Sequence, residues 1–314
     1  MTSASKKDLP LELKVFVCDL GFSAAKWQFD EREGRFFSAS AIIRGKKVYG
    51  DEAMFSTTPS YLLSCEDLVD HYSEMCLAAV AESGYEGDRA ELHMVVGVPL
   101  EYFEAEQERQ GCGNLSLIKN NLIEAGFGDA TILPQGLGGV VLFCNKHPEH
   151  SGNILGLDIG FSTIIMSLYS PKLKKIIFSS TKYNHGVTRL GKDYLVPKIS
   201  SLVPSRNLAP PSLCMIMERG VIQYDINNKY DVTPQLTEAV SEYVETTLKE
   251  VSSQLRAGVG DAMTFDTVLF FGGGARHIKD RIDAGGSSIK FVVMEQPEMA
   301  NARGFKLIAE SGRV

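Results

Sequence analysis

Long apolar runs are missing from this 314-residue chain. No window approaches the roughly 20 apolar residues needed to cross a bilayer, and residues 1–10 (MTSASKKDLP) have no apolar centre of the kind a secretory leader requires. Paired metal-ligand motifs are missing too. The six cysteines, Cys18, Cys65, Cys76, Cys112, Cys144 and Cys214, are scattered without a C-x-x-C pair or a companion pair of histidines. That argues against a zinc site and for reduced thiols in a cytoplasmic protein. Basic residues are in short supply, with Lys+Arg 32 against Asp+Glu 39, a formal charge of -7 and a pI near 5.5. The longest basic cluster is the short stretch 172–175. Contact with nucleic acid phosphates needs a local excess of Lys and Arg, so direct DNA or RNA binding is not expected, and any DNA partner would be reached through another protein. A G-x-x-x-x-G-K-[ST] loop, a G-x-G-x-x-G fingerprint and a G-x-S-x-G elbow are all absent, which counts against P-loop NTPases, Rossmann dehydrogenases and acyl-transfer hydrolases.

What is present is a composition of 44% hydrophobic and 23% charged residues, enough for two ordinary cores. The apolar run 13–18 ends at Asp19-Leu20-Gly21 and apolar residues resume at 24–29, which reads as strand, tight turn, strand. Residues 41–50 read as a third and fourth strand around a Gly-Lys turn. Leu62, Leu63, Leu68, Val69, Tyr72, Met75, Cys76 and Ala79 recur at helical period, and 92–98 is a buried strand closed by Pro99. The second half repeats this order. Residues 153–157 lead into Asp158-Ile159-Gly160, and 162–169 read as the returning strand, followed by a third strand at 175–181. DLGFS at 19–23 thus returns as DIGFS at 158–162, the mark of a duplication. Residues 186–202 read as a helix, 206–211 as a Pro-rich break, 233–255 as a long amphipathic helix, 267–271 as a buried strand and 297–310 as a closing helix.

An Asp at the end of a buried strand, followed by a Gly turn, puts a carboxylate for Mg²⁺ and backbone N–H donors for phosphate in one place. A single Asp-x-Gly is also a common turn sequence; two in matched contexts suggest a nucleoside triphosphate held by two halves. Lys26 could reach a phosphate as a point charge, or be an ordinary strand lysine. The turn of Gly272, Gly273, Gly274 and Ala275 offers a surface without side chains for a planar base, or is a plain strand-to-helix turn. Gln135, at the end of the strand in ILPQGLGG, could orient an attacking water, or cap the helix that follows.

The ordered set DLGFSAAK, LPQGLGG, LDIGFST, FFGGGA and EMANARGFKLIA resembles the phosphate 1, connect 1, phosphate 2, adenosine and connect 2 segments of the actin, Hsp70 and sugar-kinase superfamily. Within it, the chain looks like the ParM (StbA) plasmid-segregation actins and their archaeal relatives. The resemblance implies an α/β fold of actin/Hsp70-type duplicated ribonuclease-H-like domains with a nucleotide cleft between them. Domain I would be 13–150 with 299–314, domain II 151–298, and 1–12 a disordered tail. It implies ATP, or GTP, with Mg²⁺ held through water by Asp19 and Asp158. Gly21, Phe22, Ser23, Gly160, Phe161, Ser162 and Thr163 would contact phosphates, and Gly272, Gly273, Gly274 and Ala275 would face the adenosine. Many plasmid actins carry Glu where Gln135 stands. The implied function is a filament-forming ATPase that moves plasmid DNA through a small DNA-binding adaptor, with itself as its main partner and no membrane. The competing readings are a small-molecule kinase of the same superfamily and a filament for cell shape or organelle positioning.

Overall fold

A computed structural model describes residues 13–54, 56, 60–61, 65–100, 103, 114–202, 208, 210–223, 228–260, 264–279 and 289–312. Leu62 and Leu63 of the helical pattern, half of the Pro-rich break (206, 207 and 209) and the N-terminal tail lie outside these residues, while 210 and 211 open the Pro210–Arg219 helix. The chain forms two compact units, Met1–Pro134 with Phe305–Val314, and Gln135–Gly304.

In the first unit, β1 (Lys14–Leu20) is buried from Phe16 onward. It pairs antiparallel with β2 (Ala24–Phe29), which pairs with β3 (Arg32–Phe37). On its other side β1 runs parallel to β7 (Leu92–Val98), and β7 parallel to β8 (Asp129–Pro134). The order is β3-β2-β1-β7-β8. Phe16 stacks on Phe29 and Trp27 at 5.4 and 6.2 Å. The Cys65–Glu82 helix packs on β1 and β2 and presents Tyr72, Met75, Cys76 and Ala79 fully buried, which is the apolar face its period foretells. A smaller sheet joins β4 (Ala39–Ile43) to β5 (Lys46–Tyr49) and β6 (Ser60–Tyr61). The β4–β5 turn is Arg44-Gly45 rather than Gly-Lys, because those two residues take the positive φ values, 50° and 77°, that a two-residue hairpin turn demands.

The second unit repeats the design. Strands β9 (Ile154–Ile159), β10 (Thr163–Ser170) and β11 (Lys175–Tyr183) form an antiparallel meander. Strands β14 (Thr267–Phe271) and β15 (Lys290–Val293) continue it in parallel on the far side of β9. The order β11-β10-β9-β14-β15 is that of the first unit position for position. A short hairpin, β12 (Val221–Gln223) with β13 (Lys229–Asp231), lies apart from it. The Thr233–Val259 helix buries Leu236, Val240, Tyr243, Val244, Val251 and Leu255 in the core, with Leu248 partly covered. The expected helix at 186–202 is broken in character: a turn of α-helix at Val187–Arg189, a π segment at Leu190–Leu195 and α-helix again at Val196–Ile199. A π segment inserts an extra residue per turn, which pattern alone does not reveal. The closing helix is a 3-10 turn, Pro297–Met299, leading into Ala300–Glu310.

Candidate nucleotide site

The two Asp-x-Gly hairpins have the same local geometry. In the first, Asp19 faces Lys26 across the β1–β2 ladder and the Gly21 amide closes the turn on the Ala24 carbonyl at 3.1 Å. In the second, Asp158 faces Ile165 across the β9–β10 ladder and the Gly160 amide closes on the Thr163 carbonyl at 2.8 Å. Both aspartates are buried, at 3% and 7% exposure. The outer carbonyls of each turn are already occupied. Ser38 donates from its hydroxyl to Gly21 and from its amide to Ser23. In the second unit the amides of residues 185–188 donate to the carbonyls of Gly160, Phe161 and Ser162. Phe22 is buried, whereas Gly160, Phe161 and Ser162 are half-buried and Ser23 is exposed.

A glycine beside each aspartate leaves room for its carboxylate. A Cβ on Gly97, the β7 partner of Asp19, would lie 2.8 Å from Asp19 Oδ1. A Cβ on Gly272 would run into Asp158 Oδ1 and stand 2.6 Å from the Ile159 carbonyl. Gly272 also has φ +82°, which an L side chain rarely adopts. Gly274 donates its amide to the Ile159 carbonyl at 2.7 Å. The Gly-rich turn is therefore seated on the end of the strand that carries Asp158. Gly272, Gly274 and Ala275 are buried in that seat, and a Cβ on Gly273 would meet nothing within 4 Å.

The partners of the two aspartates differ. Lys26 Nζ lies 3.8 Å from Asp19 Oδ2, and the lysine side chain is only 13% exposed. Asp158 receives Asn301 Nδ2 at 2.7 Å on its Oδ2. Asn301 is 4% exposed, and its Oδ1 accepts the amides of Gly136 and Gly139 at 3.3 Å each, at the start of the Leu137–Lys146 helix. Gln135, buried at 9%, immediately precedes that junction, where Gly136 takes φ 88° and no side chain caps the helix from the N-cap position. Asn301 belongs to the quoted ANARGF segment, yet sequence reasoning assigned it no role, because its partners are more than a hundred residues away.

Comparison with solved structures places the fold. The chain is similar to a ParM in a 15-stranded filament from Clostridium botulinum, with TM-score 0.74, 16% identity, and 96% of this chain and 99% of that one covered. It is similar to an archaeal actin homolog in complex with ADP, with TM-score 0.70, 17% identity and coverage of 95% and 100%. It is similar also to MreB5 of Spiroplasma citri bound to ADP, with TM-score 0.64, 14% identity and coverage of 97% and 98%. The chain has the actin-like fold. No protein-family model and no curated protein matches the sequence.

Two further features of the second actin-like unit were not read from sequence. A cavity of about 430 Å³ opens beside the Gly-rich turn, lined by Arg276 and His277 just after it, by Glu218 and Arg219 at the end of the Pro210–Arg219 helix, and by Thr233 and Leu236 on the long helix. Arg276 and Glu218 are ion-paired at its wall. Further along the long helix, Glu250 gathers three partners. It accepts both guanidinium nitrogens of Arg189 at 2.9 and 3.0 Å and Lys182 Nζ at 3.0 Å, and lies 3.3 Å from His185 Nε2. The Arg189 hydrogen bonds hold Glu250 down to about 2, against partial burial that works the other way. Burial, and then Arg189, lower His185. These residues bracket the 185–188 segment whose amides grip the second turn. In the first unit, Cys18 precedes Asp19. Hydrogen bonding to the Cys76 thiol, with burial, raises it well above the usual thiol range, so it stays a neutral packing group. Among the described residues, no helix is long and apolar enough to cross a membrane.

Proposed function

We propose that this chain is a filament-forming actin-like ATPase whose polymer moves plasmid DNA through a small DNA-binding adaptor. The observation that carries the reading is the paired hairpin: one Asp-x-Gly-Phe-Ser turn, with one register and one closing hydrogen bond, at the same position of two sheets of the same strand order. The similarity in fold to a ParM seen as a filament and to ADP-bound relatives supports it. The acidic chain, at net charge -7, agrees with DNA being reached through an adaptor.

The residues suit a magnesium nucleotide. In the first unit a buried carboxylate stands beside a largely buried lysine, and in the second a buried carboxylate stands beside a side-chain-free turn, groups that triphosphate, divalent cation and base each require. Asp19 and Asp158 are the carboxylates that would hold a bound magnesium through its waters. A bound magnesium supplies charge neutralisation at the phosphates during in-line transfer. The glycines at 21 and 160 shape the turns, and amides along Phe22, Ser23, Phe161, Ser162 and Thr163 donate to phosphate oxygens, while the turn carbonyls are held away from the anion by Ser38 and by residues 185–188. Lys26 adds a point charge. Gln135 orients the water without acting as a strong base, which fits slow turnover. Gly273 and the neighbouring cavity receive the base, with Gly272, Gly274 and Ala275 forming the floor.

Sedimentation and light scattering of the purified protein with Mg-ATP, Mg-GTP and Mg-ADP test this. Triphosphate is expected to drive the protein into the pellet as filaments visible by electron microscopy, with phosphate release accompanying disassembly. A soluble protein that binds a fluorescent nucleotide but never assembles would refute the filament role. One that binds no nucleotide would refute the whole reading.

A further inference from the structure

We propose that Asn301 is a positioning residue of this site: its carboxamide ties the Asp158 carboxylate to the junction that carries Gln135. The proposal rests on the nucleotide reading above for its catalytic consequence and on geometry alone for the tie itself.

Asn301 is 4% exposed and makes three hydrogen bonds from one planar group: Nδ2 to Asp158 Oδ2 at 2.7 Å, and Oδ1 from the amides of Gly136 and Gly139 at 3.3 Å. Its orientation follows from chemistry. Turned over, the carboxamide would set its N–H against two backbone N–H groups and its oxygen against a carboxylate. A neutral group with a donor and an acceptor about two ångströms apart is what the gap demands. Aspartate supplies only acceptors when ionised, serine is too short to span it, and glutamine is one methylene too long.

The amides it accepts are among the orphan donors at the start of the Leu137–Lys146 helix, whose own N-cap position is a glycine without a side chain to cap them. The cap is therefore lent by a residue of another helix. Backbone proximity makes this possible: a Cβ on Gly138 would stand 2.7 Å from the Asn301 Cα and 2.9 Å from its carbonyl carbon, so only glycine lets the two helices approach so closely. The consequence is mechanical. Asp158, the candidate magnesium-water acceptor, and Gln135, the candidate water positioner, sit on different segments, and Asn301 makes them move as one. Groups that hold a cation-binding carboxylate in place by hydrogen bonding typically matter by about 10- to 100-fold in metal affinity or activity.

Three proteins test it: wild type, Asn301→Asp and Asn301→Ala. Asn301→Asp keeps shape and both amide acceptors but sets a second carboxyl against Asp158, so it reports on the amide side of the tie alone; Asn301→Ala removes everything. Hydrogen exchange without nucleotide is expected to show Gly136 and Gly139 protected in wild type and in Asn301→Asp, and exposed in Asn301→Ala. With Mg-ATP, Asn301→Ala should lose about tenfold or more in kcat and need more Mg²⁺ for half-saturation, while nucleotide KM changes far less. A helix cap without a positioning role would leave Asn301→Ala with the wild-type Mg²⁺ requirement, and that result overturns the proposal. Unchanged exchange in Asn301→Ala overturns it as well. Should Asn301→Asp fail to fold, Asn301→Ser, which retains a hydroxyl, is read by the same two measurements. If wild type neither binds nor turns over nucleotide, the proposed function fails, and amide exchange alone then decides the tie.

Discussion

Glutamine in place of Glu250 asks whether the second Asp-x-Gly turn is gripped from the long helix. Glu250 is the common acceptor for Arg189, Lys182 and His185, and the Glu250→Gln variant keeps the shape while removing the charge they share. The carboxyl is held at about 2 against an ordinary 4.5. Taken at face value, that shift of roughly 2.5 units is worth about 3.4 kcal/mol at 1.36 kcal/mol per unit. With 28% of the side chain exposed to solvent, screening reduces the expected loss to about 1–2 kcal/mol. In a domain of this size each kcal/mol moves Tm by about 2–4 °C. Because the folded carboxyl has the lower pKa, its contribution is complete above pH 4.5 and is lost as pH falls from there towards 2. His185 acts in the same direction at higher pH. Its folded pKa lies below 6.5, so the unfolded chain takes up that proton first and stability declines as pH falls through that value. Thermal unfolding of wild type and Glu250→Gln at pH 7, 5, 4 and 3 is therefore expected to show a gap that is at least as wide at pH 5 as at pH 7 and narrows below pH 4.5. Nucleotide affinity should fall along with stability at pH 7, since the amides of 185–188 hold the turn carbonyls. A gap that stays constant from pH 7 to pH 3, or no gap at pH 7, would show that the cluster does not carry the charge assigned to it.

Gly272→Ala must accommodate a left-handed backbone, about 1–2 kcal/mol, and a methyl group against Asp158 and Ile159, about 1–3 kcal/mol more; Gly273→Ala, with open space around it, should be close to neutral, and urea unfolding of the pair checks the contrast. Lys26→Met leaves Asp19 buried without its cation and should lose less than the roughly 3–5 kcal/mol of a fully buried broken pair, with Asp19→Asn restoring part of it in a double-mutant cycle. Gly138→Val sets a branched side chain against the backbone of Asn301 and is expected to unfold at least about 6 °C below wild type by circular dichroism, consistent with about 3 kcal/mol or more of overpacking.

The parts of the fold that could be read in advance are those whose residues speak locally. β1, β9 and β14 are apolar runs ending at a turn signal, and the Thr233–Val259 helix repeats its apolar positions at the helical period. β3 gave no such signal. Its sequence REGRFF buries Phe36 and leaves Arg32, Glu33, Arg35 and Phe37 exposed, because an edge strand is held by the backbone ladder to β2 rather than by an apolar face. β15 is four residues long and is defined only by its parallel partner. At the candidate site, the aspartates and glycines were legible because turn chemistry is local. Asn301 and Glu250 were not, since each acquires its role from groups far away in sequence.

The two halves of the duplication have settled on different ways of holding the same residue. Asp19 and Asp158 occupy one register position in their hairpins, but the facing residue is Lys26 in one and Ile165 in the other. Where the lysine is present, the carboxylate has a positive charge beside it. Where isoleucine stands, no charge is available at that position, and a neutral carboxamide from Asn301 fixes the carboxylate instead. A charged partner suits a residue that must exchange contacts when ligand arrives, and a neutral, doubly anchored partner suits one that must not move. On this argument the Asp19 side chain is the one expected to change partners more readily. Exchanging them, with Ile165→Lys in the second hairpin, should weaken the Asn301 bond by offering Asp158 a competing charge, and hydrogen exchange at Gly136 and Gly139 would report it.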